Sequence, residues 1–542
     1  MWHSSVPQRF SFTLCHTELF AMCGRYLQLL LSSALLAQLT NAAQILGLFA
    51  HPGKSHFDFF RPMLLELAGR GHNVSVYSYF PLKHPVENYT DYVLEGMPLL
   101  TDFVDLQAIE TDAELLGQAY KVPTFFMLHD WGLRSCQVAL NSPLISQLLS
   151  SAQRFDVILL EHFSNDCMAA VAHLLQAPMI ALSSCAIMPW HYKRMGTPFI
   201  NTIMPMNFLP YNDEMHFAAR LNNFLHFHVI NALYNFITQP ATDALISQRF
   251  GSGLPPINEI VKNTSLMLIN QYYALTGPRP YTSNVVEVGG LQVGASQPLP
   301  EHLARLFEAA TLGVIYISWG SMVNPSSLPQ PQLQALYATI AQFPDYTFVL
   351  RWNKPAALQN KPKNLYTYEW LPQRDLLCHP RVKAFITHGG LLGSTEAVHC
   401  AVPMLVTPFY GDQFLNAAAI VQRRFGLIVG FKNFNEPQLT EALTAILQPS
   451  FAAAMKQSTI AFRSRPQPPL DLAVWWIEHV IATRGAVLSQ SVARHINWFV
   501  YNSIDVYVCC LGFVFLSLLS VWKIIKYIKC NWKQHKNKAK QQ

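Results

Sequence analysis

Apolar runs of strand length alternate with helix-length segments in this chain, and they do so in two separate blocks. Ile45 to Ala50 is followed by a helical stretch around Phe59 to Gly69 and then by Asn73 to Tyr79. Further along, Asp156 to Leu160 precedes Asp166 to Leu175 and then Met179 to Leu182. The rhythm restarts at Gly313-Val314-Ile315-Tyr316-Ile317-Ser318 and continues through Thr347 to Leu350, Ala384 to Thr387 and Met404 to Val406. Strands joined through helices pair in parallel, so two doubly wound α/β domains are expected. Gly277-Pro278-Arg279-Pro280 and the stretch Gly289 to Pro300 read as the connector between them. The segment Phe199 to Phe236, rich in Asn, Phe and His, reads as helical and aromatic, a candidate lining for an apolar pocket.

The two ends of the chain point to a compartment. Ile504 to Trp522 is apolar apart from Asp505 at its edge, long enough to cross about 30 Å of hydrocarbon. Seven lysines and no acid follow between Lys523 and Gln542. They account for the whole net charge of +6, so the rest is near neutral and gives no case for a nucleic-acid groove. By the positive-inside rule the lysines stay cytosolic and everything before residue 504 lies in the lumen. Upstream, Arg25 introduces the apolar run Leu27 to Ala37, the anatomy of a secretory signal, with Met22 as the effective start and residues 1–21 as an upstream extension. The final Lys538-Ala539-Lys540-Gln541-Gln542 resembles the dilysine retrieval signal of endoplasmic reticulum membrane proteins. With 51% apolar and 13% charged residues among 542, the chain is neither disordered nor a small stapled scaffold.

Five cysteines fall in the lumenal part, Cys136, Cys167, Cys185, Cys378 and Cys400. An odd set without CxxC spacing is not read as a disulfide framework, and at most one incidental bridge is expected. Asn88-Tyr89-Thr90 and Asn263-Thr264-Ser265 are acceptor sequons for glycosylation, whereas Asn73-Val74-Ser75 sits inside an expected strand.

The densest chemical signal is Phe385-Ile386-Thr387-His388-Gly389-Gly390-Leu391-Leu392-Gly393-Ser394-Thr395-Glu396-Ala397. An apolar strand ends in a glycine turn and enters a helix, which aims backbone N–H groups and the positive end of a helix dipole at an anion. His388 and the Ser394 hydroxyl are placed to add contacts to a diphosphate. Trp370, in Trp370-Leu371-Pro372-Gln373, offers a stacking face for a base. Asp412-Gln413 pairs an acid with an amide, a set suited to sugar hydroxyls.

These elements, with Pro403-Met404 and Asp412-Gln413-Phe414-Leu415-Asn416, resemble in order the signature of the animal UDP-glycosyltransferases of the endoplasmic reticulum. The opening Leu48-Phe49-Ala50-His51-Pro52-Gly53-Lys54-Ser55-His56-Phe57 is similar to the insect branch. The resemblance implies a GT-B fold: an acceptor-binding domain (44–291) and a UDP-sugar-binding domain (292–475) facing a cleft. Helices returning towards the first domain (476–503), a transmembrane helix (504–525) and a basic tail (526–542) would follow. It implies inverting transfer of a hexose, UDP-glucose favoured over UDP-glucuronate, to a small lipophilic acceptor. Trp370 would stack on uracil with Gln373 nearby, and Glu396 would hold the ribose. Ser321, His388, Gly389, Gly390 and Ser394 would hold the diphosphate, and Asp412 and Gln413 the sugar. His56 matches the general base, with Glu161 as its acid partner by spacing and Asp166 as the alternative.

One departure is His399-Cys400-Ala401 before Val402-Pro403, where relatives carry a glycine at the third position, so a strained turn is expected there. No Asp-x-Asp clamp occurs. No metal or other cofactor is therefore expected, and the leaving diphosphate is left to donors and a helix dipole. Expected partners are the UDP-sugar, the acceptor and membrane lipid, without nucleic acid; a homo-oligomer is left open. The rival class is a non-enzymatic lipophile binder of the same fold, against which His56, Asp412 and Gln413 speak. Protease added to sealed microsomes is expected to remove only a tag fused after Gln542; digestion of the large domains inside intact vesicles would reverse the orientation.

Overall fold

The computed structural model describes residues 42–109 and 121–538; the signal-like segment and Lys540 lie outside the described residues. The first half of the chain supplies β1 (Gln44–Leu48), β2 (Asn73–Ser78), β3 (Tyr89–Val93), β4 (Val104–Asp105), β5 (Val157–Glu161), β6 (Met179–Ser183), β7 (Thr264–Ile269) and β8 (Val285–Glu287). All but β4 form one parallel sheet in the order β3-β2-β1-β5-β6-β7-β8. The second half supplies β9 (Gly313–Ser318), β10 (Val323–Asn324), β11 (Tyr346–Arg351), β12 (Leu365–Tyr368), β13 (Val382–Thr387), β14 (Met404–Val406) and β15 (Gly426–Ile428). These, without β10, form a second parallel sheet, β12-β11-β9-β13-β14-β15.

The helices that shape the site are, in chain order, α1 (Lys54–Gly69), α2 (Lys121–Leu140), α3 (Met168–Leu175), α4 (His191–Met195), α5 (Phe217–Leu233), α6 (Gln373–Leu377), α7 (Leu391–His399), α8 (Gln413–Gln422) and α9 (Pro469–Ala482). The chain ends in α10 (Ile504–Lys538), the one helix among the described residues long and apolar enough to cross a membrane, with mean hydropathy 2.3 and none of that window buried.

The strands read as continuous apolar runs because both faces of each sheet are covered. Ile315 and Ile317 of β9, Phe348 and Leu350 of β11 and Ile386 of β13 enter one core. Their neighbours Val314, Tyr316, Val349 and Phe385 enter another on the opposite face. That division follows from the two-residue period of a strand.

Joins between the halves include an ion pair of Arg423 with Asp213 at 2.7 Å and the burial of Leu275 in the second domain's core, together with three others. β4 pairs in parallel with β10, Val104 opposite Val323, and Val104 and Leu106 are buried in the second domain's core. Arg351 at the end of β11 reaches Asp102 at 2.7 Å. Finally, α9 returns to the first core through Ala473, Val474, Ile477 and Val480. The crossing therefore begins at Pro469, ahead of the boundary at 476 read from the sequence.

Several expectations are corrected. α1 starts at Lys54 rather than near Phe59 and carries Pro62 inside it. Proline signals a boundary locally, yet buried Phe57, Phe59, Phe60 and Met63 anchor the turn on both sides of it. Phe199 to Phe236 is not one helix: residues 200–216 are mostly irregular with two short turns, and only α5 and a π turn at Tyr234–Thr238 are helical. Two disulfides form, Cys136–Cys167 and Cys378–Cys400, leaving Cys185 buried and free. Partners 31 and 22 residues apart are set by helix packing, which spacing along the chain does not reveal.

The turn after α7 is as the missing glycine suggested. Ala401 has φ +57°. Its N–H donates to Val398 O (3.2 Å) and that of Val402 to Ala397 O (2.9 Å), the paired bonds of a Schellman helix end. Ala401→Gly is expected to relieve the left-handed strain and stabilise the fold by roughly 0.5 to 1 kcal/mol after the entropy cost of glycine, read as a higher thermal midpoint.

Candidate active site

In each sheet the strand order reverses once, between β1 and β5 in the first and between β9 and β13 in the second. Neighbouring connections leave such a point in opposite directions, so a crevice opens beyond the carboxyl ends of those strands. The two crevices share one cleft of about 680 Å³.

On the acceptor side, β5 ends at Glu161 and the turn after β1 delivers His56 into the first turn of α1. His56 Nδ1 lies 2.6 Å from Glu161 Oε1. The carboxylate is 4% exposed and the imidazole 14%, so the pair is screened little, and His56 lines the cleft. Phe163 packs edge-on to the His56 ring at 4.6 Å, and His51 lies 4.4 Å from it between ring centres. Burial, and secondarily the neighbouring His56, hold His51 well below the ordinary histidine pKa, so it stays neutral beside the pair. Gly53 precedes α1 because a Cβ there would stand 2.7 Å from the His51 ring.

Asp166 does not reach His56. It is buried 2.7 Å from Arg194, 3.0 Å from His162 and 2.5 Å from the Tyr234 hydroxyl, which donates to it. Burial alone would raise its pKa, but Arg194 and His162 more than offset this and hold it well below the carboxylate range. The structure thus places Glu161 beside His56 and assigns Asp166 to a clamp behind the loop that follows β5.

On the facing side, the turn after β13 carries His388 and Gly390 into the cleft wall. A Cβ at Gly390 would stand 2.4 Å from His388 Nε2, so glycine lets the ring lie against the backbone. Burial lowers the His388 pKa to about 4, leaving a neutral imidazole with one N–H to donate. Gly389, at φ +81°, gives its carbonyl to Asn416 Nδ2 (3.0 Å) and is not part of the wall. Ser394 is fully buried and absent from the cleft lining, its hydroxyl has no hydrogen-bond partner, and its N–H donates to Gly390 O. Ser394 thus lies behind the wall that Gly390 and Leu391 form. On a helix entered at Leu391, the residues facing the cleft are Leu391, Leu392, Gly393 and Glu396.

Glu396 accepts from Gln373 Nε2 at 2.8 Å, and Gln373 Oε1 accepts from the Tyr316 hydroxyl at 3.2 Å. Burial raises the Glu396 pKa to about 7. Trp370 presents its indole, 57% exposed, with Lys54 Nζ of the other domain 5.3 Å from the ring centre. Asp412 and Gln413 open α8, and Gln413 Oε1 ties down its own loop by accepting from Phe409 N (2.8 Å) and Tyr410 N (3.2 Å). Burial raises the Asp412 pKa, partly offset by Asn416 and by His56 across the cleft. Ser321 also lines the wall.

A profile of the family described as UDP-glucoronosyl and UDP-glucosyl transferase matches residues 98–541. The chain is similar to UDP-glucosyltransferase 2 of Dactylopius coccus, 30% identical over 507 residues covering 93% of this chain and 96% of that one. It is similar to UDP-glucuronosyltransferase 1A3 of Rattus norvegicus, 28% identical over 501 residues covering 88% of this chain and 89% of that one. The chain belongs to the UDP-glycosyltransferase family. Among solved structures, the kitacinnamycin glycosyltransferase aligns with TM-score 0.53 at 17% identity, covering 81% of this chain and 100% of its own. Spinosyn forosaminyltransferase SpnP aligns with TM-score 0.52 at 17% identity, covering 81% and 99%. Both show the GT-B fold for this UDP-glycosyltransferase.

Among the cleft residues of this UDP-glycosyltransferase whose placement no sequence motif marks are Lys54 and Arg351. Lys54 lies inside the quoted opening motif, but nothing in the sequence says that it reaches Trp370 some three hundred residues on. Arg351 closes β11 and donates to Gly320 O (3.2 Å) and Val323 O (3.3 Å), fixing the turn that carries Ser321; no pattern marks it. The sequons are both at the surface: Asn88 precedes β3 and Asn263 ends a 3₁₀ turn, each with an exposed side chain, while Ser265 is buried in β7. The clamp behind the β5 loop makes a direct test. Arg194→Met would leave Asp166 buried without its cation and is expected to cost about 3 to 5 kcal/mol, seen as a large fall in thermal midpoint.

Proposed function

We propose that this UDP-glycosyltransferase moves a hexose, glucose by preference, from its UDP-sugar to a hydroxyl of a small lipophilic acceptor with inversion, using His56 as general base. One observation carries the reading: the His56–Glu161 pair faces the Asp412-Gln413 corner across the cleft. A base on one side and sugar-binding groups on the other are what in-line attack on an anomeric carbon requires.

In this mechanism the acceptor oxygen gives its proton to His56 Nε2 as it attacks the anomeric carbon. Glu161 holds Nδ1–H and stabilises the imidazolium that forms. The bond from the anomeric carbon to the diphosphate oxygen breaks with its electron pair on UDP. The neutral His388 and the N–H groups at the head of α7 meet the growing negative charge, aided by the helix dipole. Trp370 stacks the uracil, Gln373 fixes it, Glu396 accepts from the ribose hydroxyls, and Ser321 with Gly390 lies along the diphosphate. No metal is assigned to the reaction. Glucose is preferred because the opening motif is insect-like and the Dactylopius coccus relative is a UDP-glucosyltransferase by name. A lumenal place for both domains, with α10 as anchor and sugars on Asn88 and Asn263, is supported by the two disulfides, which persist in oxidising compartments.

His56→Ala is expected to fold and bind UDP while turnover falls by about 10² to 10⁴. Glu161→Gln should give a smaller loss, and wild-type turnover in a folded His56→Ala variant would remove the histidine from the chemistry. The second expectation concerns pH. If ribose hydroxyls donate to the Glu396 carboxylate, the ionised form binds and the protonated form does not. With its pKa near 7, affinity should weaken as pH falls from 8 to 6, by up to about tenfold. Calorimetry with uridine, which has no phosphate titrating in that window, should show this slope in wild type and a flat profile in Glu396→Gln.

A further inference from the structure

A strap of the first domain runs along the cleft between the two turns that carry the chemistry. At its start, Leu100 N donates to Pro52 O at 3.1 Å, in the turn that leads into α1 and His56. Two residues on, Asp102 N donates to Ser321 O at 2.9 Å, and Phe103 N and Val104 N both donate to Met322 O at 2.8 Å. The strap then enters the second domain as β4 beside β10, and Leu106 N donates to Ser327 Oγ at 2.8 Å. Leu100 to Asp102 therefore joins a backbone bond on the His56 side to one on the Ser321 side. Three residues span at most about 11 Å, so the separation of the two turns is short and is set by this link.

Within the link, Asp102 has φ +51°. Glycine takes that left-handed conformation without strain, and aspartate is among the few other residues that tolerate it. What glycine lacks is the carboxylate, and here the carboxylate is used: Asp102 Oδ1 lies 2.7 Å from Arg351 Nη2. The Arg351 side chain is buried, so its cation needs a counter-charge in place. Its Nη1 donates to Gly320 O and Val323 O, which closes the turn on both sides of Ser321. That turn has no slack towards His388 either, since a Cβ at Gly320 would stand 2.7 Å from His388 Cε1. One carboxylate of the first domain thus orients, through one guanidinium, the turn against which His388 lies. Gly320, Ser321, Met322 and Arg351 line the cleft and Asp102 does not, so its influence on a substrate passes through them.

We propose that Asp102 is a positioning residue for the transfer, fixing the Ser321 turn at its distance from His56 by way of Arg351 and the strap. This rests on the reading that puts the leaving diphosphate at Ser321 and the base at His56. In-line attack requires base, acceptor oxygen, anomeric carbon and leaving group at set distances, and a displacement of about 1 Å costs about a hundredfold in rate. These groups are held by two domains, so one domain must be registered on the other. The strap does this beside the reacting groups, whereas Arg423, Asp213 and the buried face of α9 are absent from the cleft lining.

The test uses the full chain, in microsomes for turnover with UDP-glucose and a lipophilic phenol, and in detergent micelles for calorimetry with UDP. Asp102→Gly removes the carboxylate and at the same time relieves the left-handed φ, so the fold is expected to survive. In that variant UDP should bind several-fold more weakly, KM for UDP-glucose should rise, and turnover should fall by about 10- to 100-fold. Asp102→Asn, which tolerates the same φ and keeps an oxygen for Arg351, should recover part of the loss. Wild-type UDP affinity and turnover in a folded Asp102→Gly variant would overturn the positioning role. Lower turnover with UDP affinity and KM unchanged and a reduced thermal midpoint would also overturn it, since a smaller folded fraction gives that pattern. Wild-type turnover in a folded His56→Ala variant would overturn the functional reading itself, and the positioning role with it.

Discussion

Everything chemical in this protein depends on where two parallel sheets reverse their strand order. Between β1 and β5, and again between β9 and β13, the loops diverge and leave backbone ends uncovered. His56 and Glu161 stand at the first reversal, and His388, Gly390 and Ser321 at the second. A short strand pair, β4 with β10, and the ion pair of Arg351 with Asp102 hold the halves at the separation that makes the two crevices one cleft.

Within that frame, charge is managed by burial. His51 and His388 are kept neutral, the first beside the base and the second beside the diphosphate position. A cation at His51 would disfavour a positive charge on His56, so a neutral His51 fits the proposed role of His56 as base. Two carboxylates five residues apart have opposite duties. Glu161 is bonded to an imidazole that can take a proton from the cleft, whereas Asp166 is spent on Arg194, His162 and Tyr234 and stays ionised within the protein.

The sequence made the fold and much of the cleft legible for a physical reason: strands covered on both faces carry unbroken apolar runs, and switch-point turns carry glycines and polar groups. His56, Trp370, Glu396 and Asp412-Gln413, all visible as motif residues in the sequence, line the cleft. What stayed hidden depends on rotation and through-space distance. The side of α7 on which Ser394 falls, the pairing of four cysteines, and the choice between Glu161 and Asp166 all require knowing which way a helix or loop is turned. α5 shows the same gap most clearly. Its spacing announces an apolar stripe, yet periodicity does not say whether the stripe meets the core, and here buried Asn223 turns it outward. Even the strained Ala401 was visible only as a missing glycine until its φ of +57° was seen.

The most direct measurement of the chemistry is the anomeric configuration of the product. Microsomes carrying the protein, given UDP-glucose and a simple lipophilic phenol, should release UDP and form a glucoside whose anomeric proton shows the large coupling of a β-linkage by NMR. That is the outcome of a single displacement on an α-linked donor with His56 as base. An α-glucoside would contradict the single displacement, and no transfer from any UDP-sugar would contradict the enzyme reading itself.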